Sequence, residues 1–111
     1  MIRIYESLED DRELSEDKLD TIIKNNGFKK VMSSDEYIYN YNKTEVMLNN
    51  ATVTLTVYYE DVSKKYSIGV TSPDLPDYSY LSDYISSVTD LTQWFSLDYR
   101  TIVGEMKKQL K

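Results

Sequence analysis

Aspartate and tyrosine alternate along one stretch of this sequence in a pattern suited to binding cations. The segment is PDLPDYSYLSDY, residues 73–84, and it lies within a run from residue 66 to residue 99 that has no lysine or arginine. Carboxylates pair with lysine and arginine, while tyrosine rings add cation–π contacts and rigid contact area. We therefore predict a surface for a basic partner here, formed by Asp74, Asp77, Tyr78, Tyr80 and Asp83. The competing interpretation makes Tyr80 and Tyr84 the buried face of a helix.

A second acidic stretch lies near the N-terminus. Residues 6–20 contain eight acids, opposed only by Arg12 and Lys18. The acids from residue 16 onward are explained by a helix, because negative charge stabilises its first turn and an acid four residues before a lysine supports it. The earlier acids either form a solvated connector or present a row of charge that resembles DNA phosphates. We add four of them to the predicted partner surface: Glu9, Asp10, Asp11 and Glu13.

The chain has no histidine and no cysteine. This excludes Ser-His-Asp and Cys-His nucleophilic systems, imidazole or thiolate metal ligands, and disulfides. The three glycines stand apart at 27, 69 and 104, so no glycine-rich phosphate loop exists. A carboxylate-based or Mg²⁺-dependent enzyme is the chemistry that remains, and we rank it third among the functions. No cofactor or metal is expected.

Three tyrosines alternate in EYIYNYN, at positions 37, 39 and 41. In a strand their rings share one face, which would suit either base stacking or packing inside a sheet. Base stacking needs surrounding positive charge, whereas the whole chain has a net charge of −6. That charge also opposes binding to anionic membranes. We therefore predict that the tyrosines pack in the same direction as the valines of the neighbouring strand, with a protein-contact face as the alternative.

The first half of the chain reads as one helix followed by strands. Ser15 is a good N-cap, Leu14 and Leu19 suit a hydrophobic staple, and Gly27 suits a left-handed C-terminal cap. Polar separators then divide five strand-like segments, and Asn49-Asn50 suits a tight hairpin. The segments are FKKVM, EYIYNYN, EVMLN, ATVTLTVYY and KYSIGV. A short strand at residues 1–5 precedes the acidic connector.

The second half predicts a loop at residues 71–79, a helix at residues 81–94 and another helix with Ser96 as its N-cap. Gly104 inside the last helix suggests close packing. The fold class is therefore α+β. One domain, residues 1–111, contains an antiparallel meander of four to five strands packed against two to three helices.

The sequence shows no signal peptide and no apolar run long enough to span a bilayer, so we expect a soluble cytoplasmic protein. The leading function is a non-enzymatic module that binds a basic protein surface. One form is a phage- or mobile-element-type inhibitor that imitates DNA and occupies a nucleic-acid-binding groove, without binding nucleic acid itself. The alternative is a structural or assembly protein, or a homo-oligomer subunit that uses the tyrosine-rich sheet edge or the C-terminal helix.

Overall fold

The computed structural model describes residues 13–31 and 37–110. The predicted strand at residues 1–5 and the acidic connector up to residue 12 lie outside these ranges. The described elements follow the order helix, five strands, helix. They are α1 (Glu16–Asn25), β1 (Lys29–Lys30), β2 (Ile38–Glu45), β3 (Ala51–Glu60), β4 (Lys65–Ser72), β5 (Leu75–Leu81), α2 (Val88–Gln93), a π segment (Trp94–Asp98) and α3 (Tyr99–Gln109).

The five strands form one antiparallel meander in the order β1-β2-β3-β4-β5. Each strand pairs with its neighbour in sequence, because short polar turns connect them. The predicted α+β fold is confirmed. The first strand is shorter than FKKVM suggests, since only Lys29 and Lys30 are assigned to it.

The inner face of the sheet carries the core, and the helices cover it. Val53, Leu55 and Val57 of β3 are fully buried, and β2 sets Tyr41 beside Leu55 and Tyr39 beside Val57. Both tyrosines are buried, whereas Tyr37 is 40% exposed. The prediction that the tyrosine row packs with the valines is therefore confirmed for Tyr39 and Tyr41.

Helix α1 begins as the sequence predicts. Ser15 is the N-cap, and its Oγ accepts a hydrogen bond from the backbone N–H of Lys18 at 3.3 Å. Leu14 and Leu19 are both buried, consistent with the predicted staple. Gly27 follows the helix with φ +93°, the left-handed conformation that a side chain disfavours.

The segment EVMLN is not a strand. Strand β2 ends at Glu45, and Val46–Leu48 form a 3₁₀ turn that leads into the hairpin. Asn49 and Asn50 both have positive φ, 57° and 64°, as the prediction of a tight turn at this pair requires. Leu48 is buried, whereas Val46 is exposed. The apolar residues of this segment therefore form a turn that buries the Leu48 side chain, and they do not extend β2.

The prediction of a loop at residues 71–79 followed by a helix from residue 81 was wrong. Strand β5 already begins at Leu75, and the chain stays extended until α2 starts at Val88. Ser82 fixes this course, because its backbone N–H donates to Ile68 C=O and its Oγ accepts from Ile68 N–H at 2.8 Å. Ile85 then pairs with Tyr66 through two backbone hydrogen bonds. Backbone pairing to β4 thus overrides the helical spacing of the apolar residues.

Ser96 is not an N-cap, because the helix is already under way at that position. Ser87 caps α2 by accepting a hydrogen bond from Asp90 N–H at 3.1 Å, and the chain then stays helical to Gln109. Within the π segment the Tyr99 N–H donates to Trp94 C=O, five residues back. Ser96 Oγ instead donates to Thr92 C=O at 3.0 Å. The C-terminal element is therefore one long helix with a π-bulge.

Two buried tyrosine hydroxyls connect the helices to the sheet. Tyr41 donates a hydrogen bond to Asp20 Oδ1 of α1 at 2.9 Å, and Tyr99 of α3 donates to Glu45 Oε2 at 3.0 Å. Lys24 Nζ lies 2.9 Å from Asp20 Oδ2, the predicted i,i+4 pair. Burial acts to raise the pKa of Asp20, but the hydrogen bonds from Lys24 and Tyr41 outweigh it and hold that pKa below its usual value.

The expectation of close packing at Gly104 was wrong, since nothing lies within 4 Å of a Cβ built there. We therefore expect Gly104→Ala to raise the free energy of unfolding by about 0.5–1 kcal/mol, because alanine loses less backbone entropy in a helix. Urea denaturation monitored by circular dichroism measures this change. The matched control is Gly27→Ala, which should destabilise because of the positive φ. A lower free energy of unfolding in Gly104→Ala would contradict the conclusion that this position has space for a Cβ atom.

Candidate functional site

An open groove of about 350 Å³ lies where the end of β5 and the segment that follows it meet α2 and the π segment. We call it the aspartate groove. Three aspartates from three successive parts of the chain line it: Asp83 after β5, Asp90 in α2 and Asp98 at the end of the π segment. Tyr84, Trp94 and Leu97 supply most of the aromatic and apolar surface between them.

Local hydrogen bonds position each of these side chains. Ser82 Oγ donates to the Asp83 carbonyl at 2.8 Å, and this bond holds the turn that leaves the Asp83 carboxylate exposed. Asp90 lies three residues after the N-cap Ser87, where its charge also favours the helix N-terminus. The π-bulge shifts the helix register at Trp94–Asp98, which brings Leu97 and Asp98 to the groove beside Trp94.

The electrostatic character of the groove is negative. All three aspartates are exposed, and within the described ranges no lysine or arginine is among the residues that line it. Lys65 lies nearby, with its Nζ 5.8 Å from the centre of the Tyr84 ring. The groove thus offers three carboxylates to a cationic group of a partner. The Lys65 ammonium group already lies over the Tyr84 ring at the margin of the groove.

Apolar exposure accompanies this charge. The Tyr84 side chain is 60% exposed and that of Leu97 is 61% exposed. Trp94 is buried, and its Nε1 has no hydrogen-bond acceptor among residues 13–31 and 37–110. A buried donor without a partner is costly in a folded domain. Acids, exposed aromatic and apolar side chains, and an unused donor are therefore combined at one place.

The structure brings some of the predicted partner residues together and leaves others apart. Asp83 and the half-buried Tyr80 both line the aspartate groove. Glu13 is exposed and lies elsewhere, beside Ser87 through a backbone bridge. Glu9, Asp10 and Asp11 lie outside the described residues.

The remaining predicted residues lie in the turn before β5 and within β5 itself. Asp74 has a structural role in the turn before β5, since its Oδ2 accepts a hydrogen bond from Thr52 N–H at 3.0 Å. A strand rises about 3.3 Å per residue, so the seven residues of β5 place Asp74 roughly 20 Å from the groove. Asp77 is exposed between them. Tyr78 is half-buried against the core, and this burial, together with the charge of Glu105, raises the pKa of its hydroxyl.

Sequence reasoning did not select Asp90, Trp94, Leu97 or Asp98 as site residues. The signal for the two acids was present, because both belong to the stretch without lysine or arginine. The signal for Leu97 was absent, since only the π-bulge decides which way the residues of this helix face. Of the partner residues predicted from sequence, Tyr80 and Asp83 therefore lie at the aspartate groove.

In the described parts of the chain, no group of three or more carboxylates is arranged to hold a metal ion. None of the helices in those parts is both long and apolar enough to cross a membrane. No protein-family model, curated protein or solved structure matches this chain. Its function therefore has to be argued from the geometry of the aspartate groove.

Proposed function

We propose that this chain is a non-enzymatic module that binds a basic protein surface through the aspartate groove. The observation that carries the proposal is the convergence of Asp83, Asp90 and Asp98 on one groove without a lysine or arginine in its described lining. Lysine and arginine side chains are the natural complement of such a set, because charge-assisted hydrogen bonds to carboxylates are about twice as strong as neutral ones.

The surroundings of the acids support a protein partner. Exposed Tyr84 and Leu97 provide contact area beside the carboxylates, and tyrosine is enriched among the residues that dominate binding energy. After a small shift of the lining, the unused donor at Trp94 Nε1 could donate a hydrogen bond to a carbonyl oxygen of the partner. A metal ion would use neither the exposed contact area nor the Trp94 Nε1 donor. An extended protein surface uses both.

The partner class we favour is a nucleic-acid-binding protein, whose basic groove the aspartates would occupy in place of phosphates. This makes the chain an inhibitor of the phage or mobile-element type that acts in the cytoplasm. The negative charge favours fast encounter with such a partner, and the complex should weaken as salt increases.

The experiment compares two triple variants that change net charge equally. Asp83→Asn/Asp90→Asn/Asp98→Asn removes the groove charges, while Asp17→Asn/Asp61→Asn/Glu105→Gln removes three exposed acids elsewhere. Partner capture from lysate at low and high salt identifies the basic protein, and titration with the purified partner gives affinities. We expect the groove variant to lose at least about tenfold in affinity and the control less than about twofold.

Added DNA should compete with the chain for the purified partner. Equal losses in the two triple variants would attribute binding to net charge and would contradict the groove. A complex that resists both high salt and DNA would contradict charge mimicry altogether.

A homo-oligomer is the second candidate, and one observation favours it. The outer face of the sheet is open between β3 and β5, where it forms a shallow surface lined by Thr56, Tyr58, Ser67, Thr71 and Leu81. None of the residues described as lining it is charged, so two copies of this acidic chain would meet there without repulsion. A mass near that of a dimer, retained at high salt, would support this candidate.

A further inference from the structure

A second pocket of about 350 Å³ lies on the other side of the chain segment that borders the aspartate groove. Tyr39, Tyr59 and Tyr66 line it from the sheet, and Glu13 and Glu16 line it at the start of α1. We call it the tyrosine–glutamate pocket. The two sites are neighbours, because Ile85 of the groove pairs through its backbone with Tyr66 of the pocket.

The rings of the pocket belong to one aromatic cluster. The ring centroids of Tyr59 and Tyr66 are 4.7 Å apart, and Tyr37 stacks on the other side of Tyr59 at 6.3 Å. One cation already uses a ring of this pocket, since Lys30 Nζ lies 4.9 Å from the centre of Tyr39. Lys30 is not among the described lining residues, whereas the rings of Tyr59 and Tyr66 line the pocket, and such rings attract cations.

Three polar side chains of the pocket, those of Glu13, Glu16 and Tyr66, form no hydrogen bond or ion pair with another residue in the described part of the chain. Tyr66 is only 4% exposed, yet its hydroxyl has no hydrogen-bond partner among the described residues. Glu13 and Glu16 form no ion pair with any residue in 13–31 or 37–110. Burial raises the pKa of Tyr66 to about 12, and the charges of Glu16 and Glu13, which line the same pocket, act in the same direction.

These features exclude the simplest ligands. An anion is disfavoured because two carboxylates border the pocket and Ser15, Glu16 and Asp17 already serve the N-terminus of α1. A metal ion is disfavoured because the described residues include no group of three ligating side chains. The volume is also roughly tenfold that of one water molecule in the liquid, which suits an organic group.

We propose that the tyrosine–glutamate pocket binds an arginine side chain of the partner, with the guanidinium against the tyrosine rings and hydrogen-bonded to Glu13, Glu16 and the Tyr66 hydroxyl. A guanidinium is planar and weakly hydrated, stacks on aromatic faces and carries five donors for the carboxylate oxygens. That the arginine comes from a protein rests on the proposed function. That the pocket takes a guanidinium does not.

The test uses the isolated chain and small probes, so it needs no partner. N-propylguanidinium is titrated while amide resonances are followed by NMR, and its neutral analogue N-propylurea and the primary amine n-butylammonium are titrated in parallel. We expect N-propylguanidinium to shift the amides of Leu14, Glu16 and Tyr66. We expect N-propylurea to leave them unchanged and n-butylammonium to bind more weakly.

Variants locate the site. Glu16→Gln and Tyr66→Phe should each weaken N-propylguanidinium binding by about threefold to fivefold, because each removes one acceptor and preserves the shape of the side chain. Asp17→Asn is the matched control, since it removes a neighbouring charge from the same helical turn without lining the pocket. Its affinity should stay within about twofold of the parent chain. Stability measured in urea confirms that each variant is folded.

Three results would overturn the proposal. They are equal shifts with N-propylurea, tighter binding of n-butylammonium than of N-propylguanidinium, and equal losses in Glu16→Gln and Asp17→Asn. The two proposals fail separately. If the probe binds but no basic partner is found, the pocket stands and the proposed function falls. If a partner is found whose binding depends on Asp83, Asp90 and Asp98 while the probe does not bind, the proposed function stands and the guanidinium pocket falls.

Discussion

Above about pH 10 we expect the free energy of unfolding to fall by about 4 kcal/mol for each pH unit, so that about 8 kcal/mol is lost by pH 12. Small domains have a total stability of only about 5–15 kcal/mol. The expected loss is comparable with the whole stability of such a domain, so the chain should unfold at a lower pH than an equally stable domain without buried tyrosine hydroxyls.

Three buried tyrosines account for the size of this effect. Burial raises the pKa of Tyr66 to about 12. Burial raises the pKa of Tyr41 further, assisted by its hydrogen bond to Asp20, and raises that of Tyr99, assisted by the charge of Glu45 and the hydrogen bond to it. All three side chains are at most 7% exposed, so solvent screens these effects little.

The sign follows from which state binds the proton. In the unfolded chain a tyrosine loses its proton near pH 10, whereas in the folded chain these three keep theirs to higher pH. The contribution of each to stability is therefore fully present below pH 10 and is lost as the pH rises toward the folded pKa. Each group that is protonated only in the folded state lowers the free energy of unfolding by about 1.4 kcal/mol for each unit by which the pH rises.

Urea denaturation at a series of pH values, followed by circular dichroism, measures the slope. Tyr41→Phe serves as the internal test, because it removes one of the three ionising groups and leaves its ring in place. We expect the slope above pH 10 to fall by about one third in this variant, to about 2.7 kcal/mol per pH unit. Tyr58→Phe, at a position 43% exposed, should leave the slope unchanged. If the free energy of unfolding of the parent chain stayed constant up to pH 11.5, the link between the buried tyrosines and the loss of stability would be refuted.

The parts of the fold that sequence predicted are those that local chemistry decides. The N-cap Ser15, the left-handed Gly27 and the positive φ of Asn49 and Asn50 follow from side-chain chemistry within a few residues. Alternation along β3 was equally informative, because a strand with one buried face repeats every two residues.

The part that sequence predicted wrongly is decided by long-range pairing. Leu81, Tyr84, Ile85 and Val88 have helical spacing, yet Ile85 pairs with Tyr66 and Ser82 with Ile68. Hydrogen bonds to a strand 14 to 19 residues earlier cannot be read from the spacing of apolar residues. For the same reason the sequence did not reveal the aspartate groove, which forms where the extended segment meets α2.

The π segment explains why the rest of the groove could not be predicted. An uninterrupted α-helix fixes the direction of each side chain by its period of 3.6 residues, and one π-bulge shifts every later residue by about one position. No residue in WFSLD signals such a bulge. The charge pattern showed acids without lysine or arginine along residues 66–99, but only the register of the helix decides that Leu97 and Asp98 lie beside Trp94.

The buried tyrosine row leads to the second large effect. We expect Tyr41→Ala to lower the free energy of unfolding by about 3–5 kcal/mol, as replacing a fully buried aromatic side chain with alanine does. Tyr41 is 1% exposed and pairs with Leu55 at the centre of the sheet, so its loss leaves a cavity that the rigid β2–β3 ladder cannot close. It also leaves the Asp20 carboxylate with one hydrogen bond fewer.

Tyr58→Ala is the matched control, since it makes the same change on the outer face of the same sheet. Its ring is 43% exposed and lies beside Gly69, so we expect a loss of no more than about 1 kcal/mol. Urea denaturation of both variants at neutral pH gives the two values. A loss below about 1 kcal/mol in Tyr41→Ala would contradict the burial of this tyrosine. A large loss in Tyr58→Ala would instead mean that the outer face is covered in solution, which would favour association of two copies through that face over a free sheet surface.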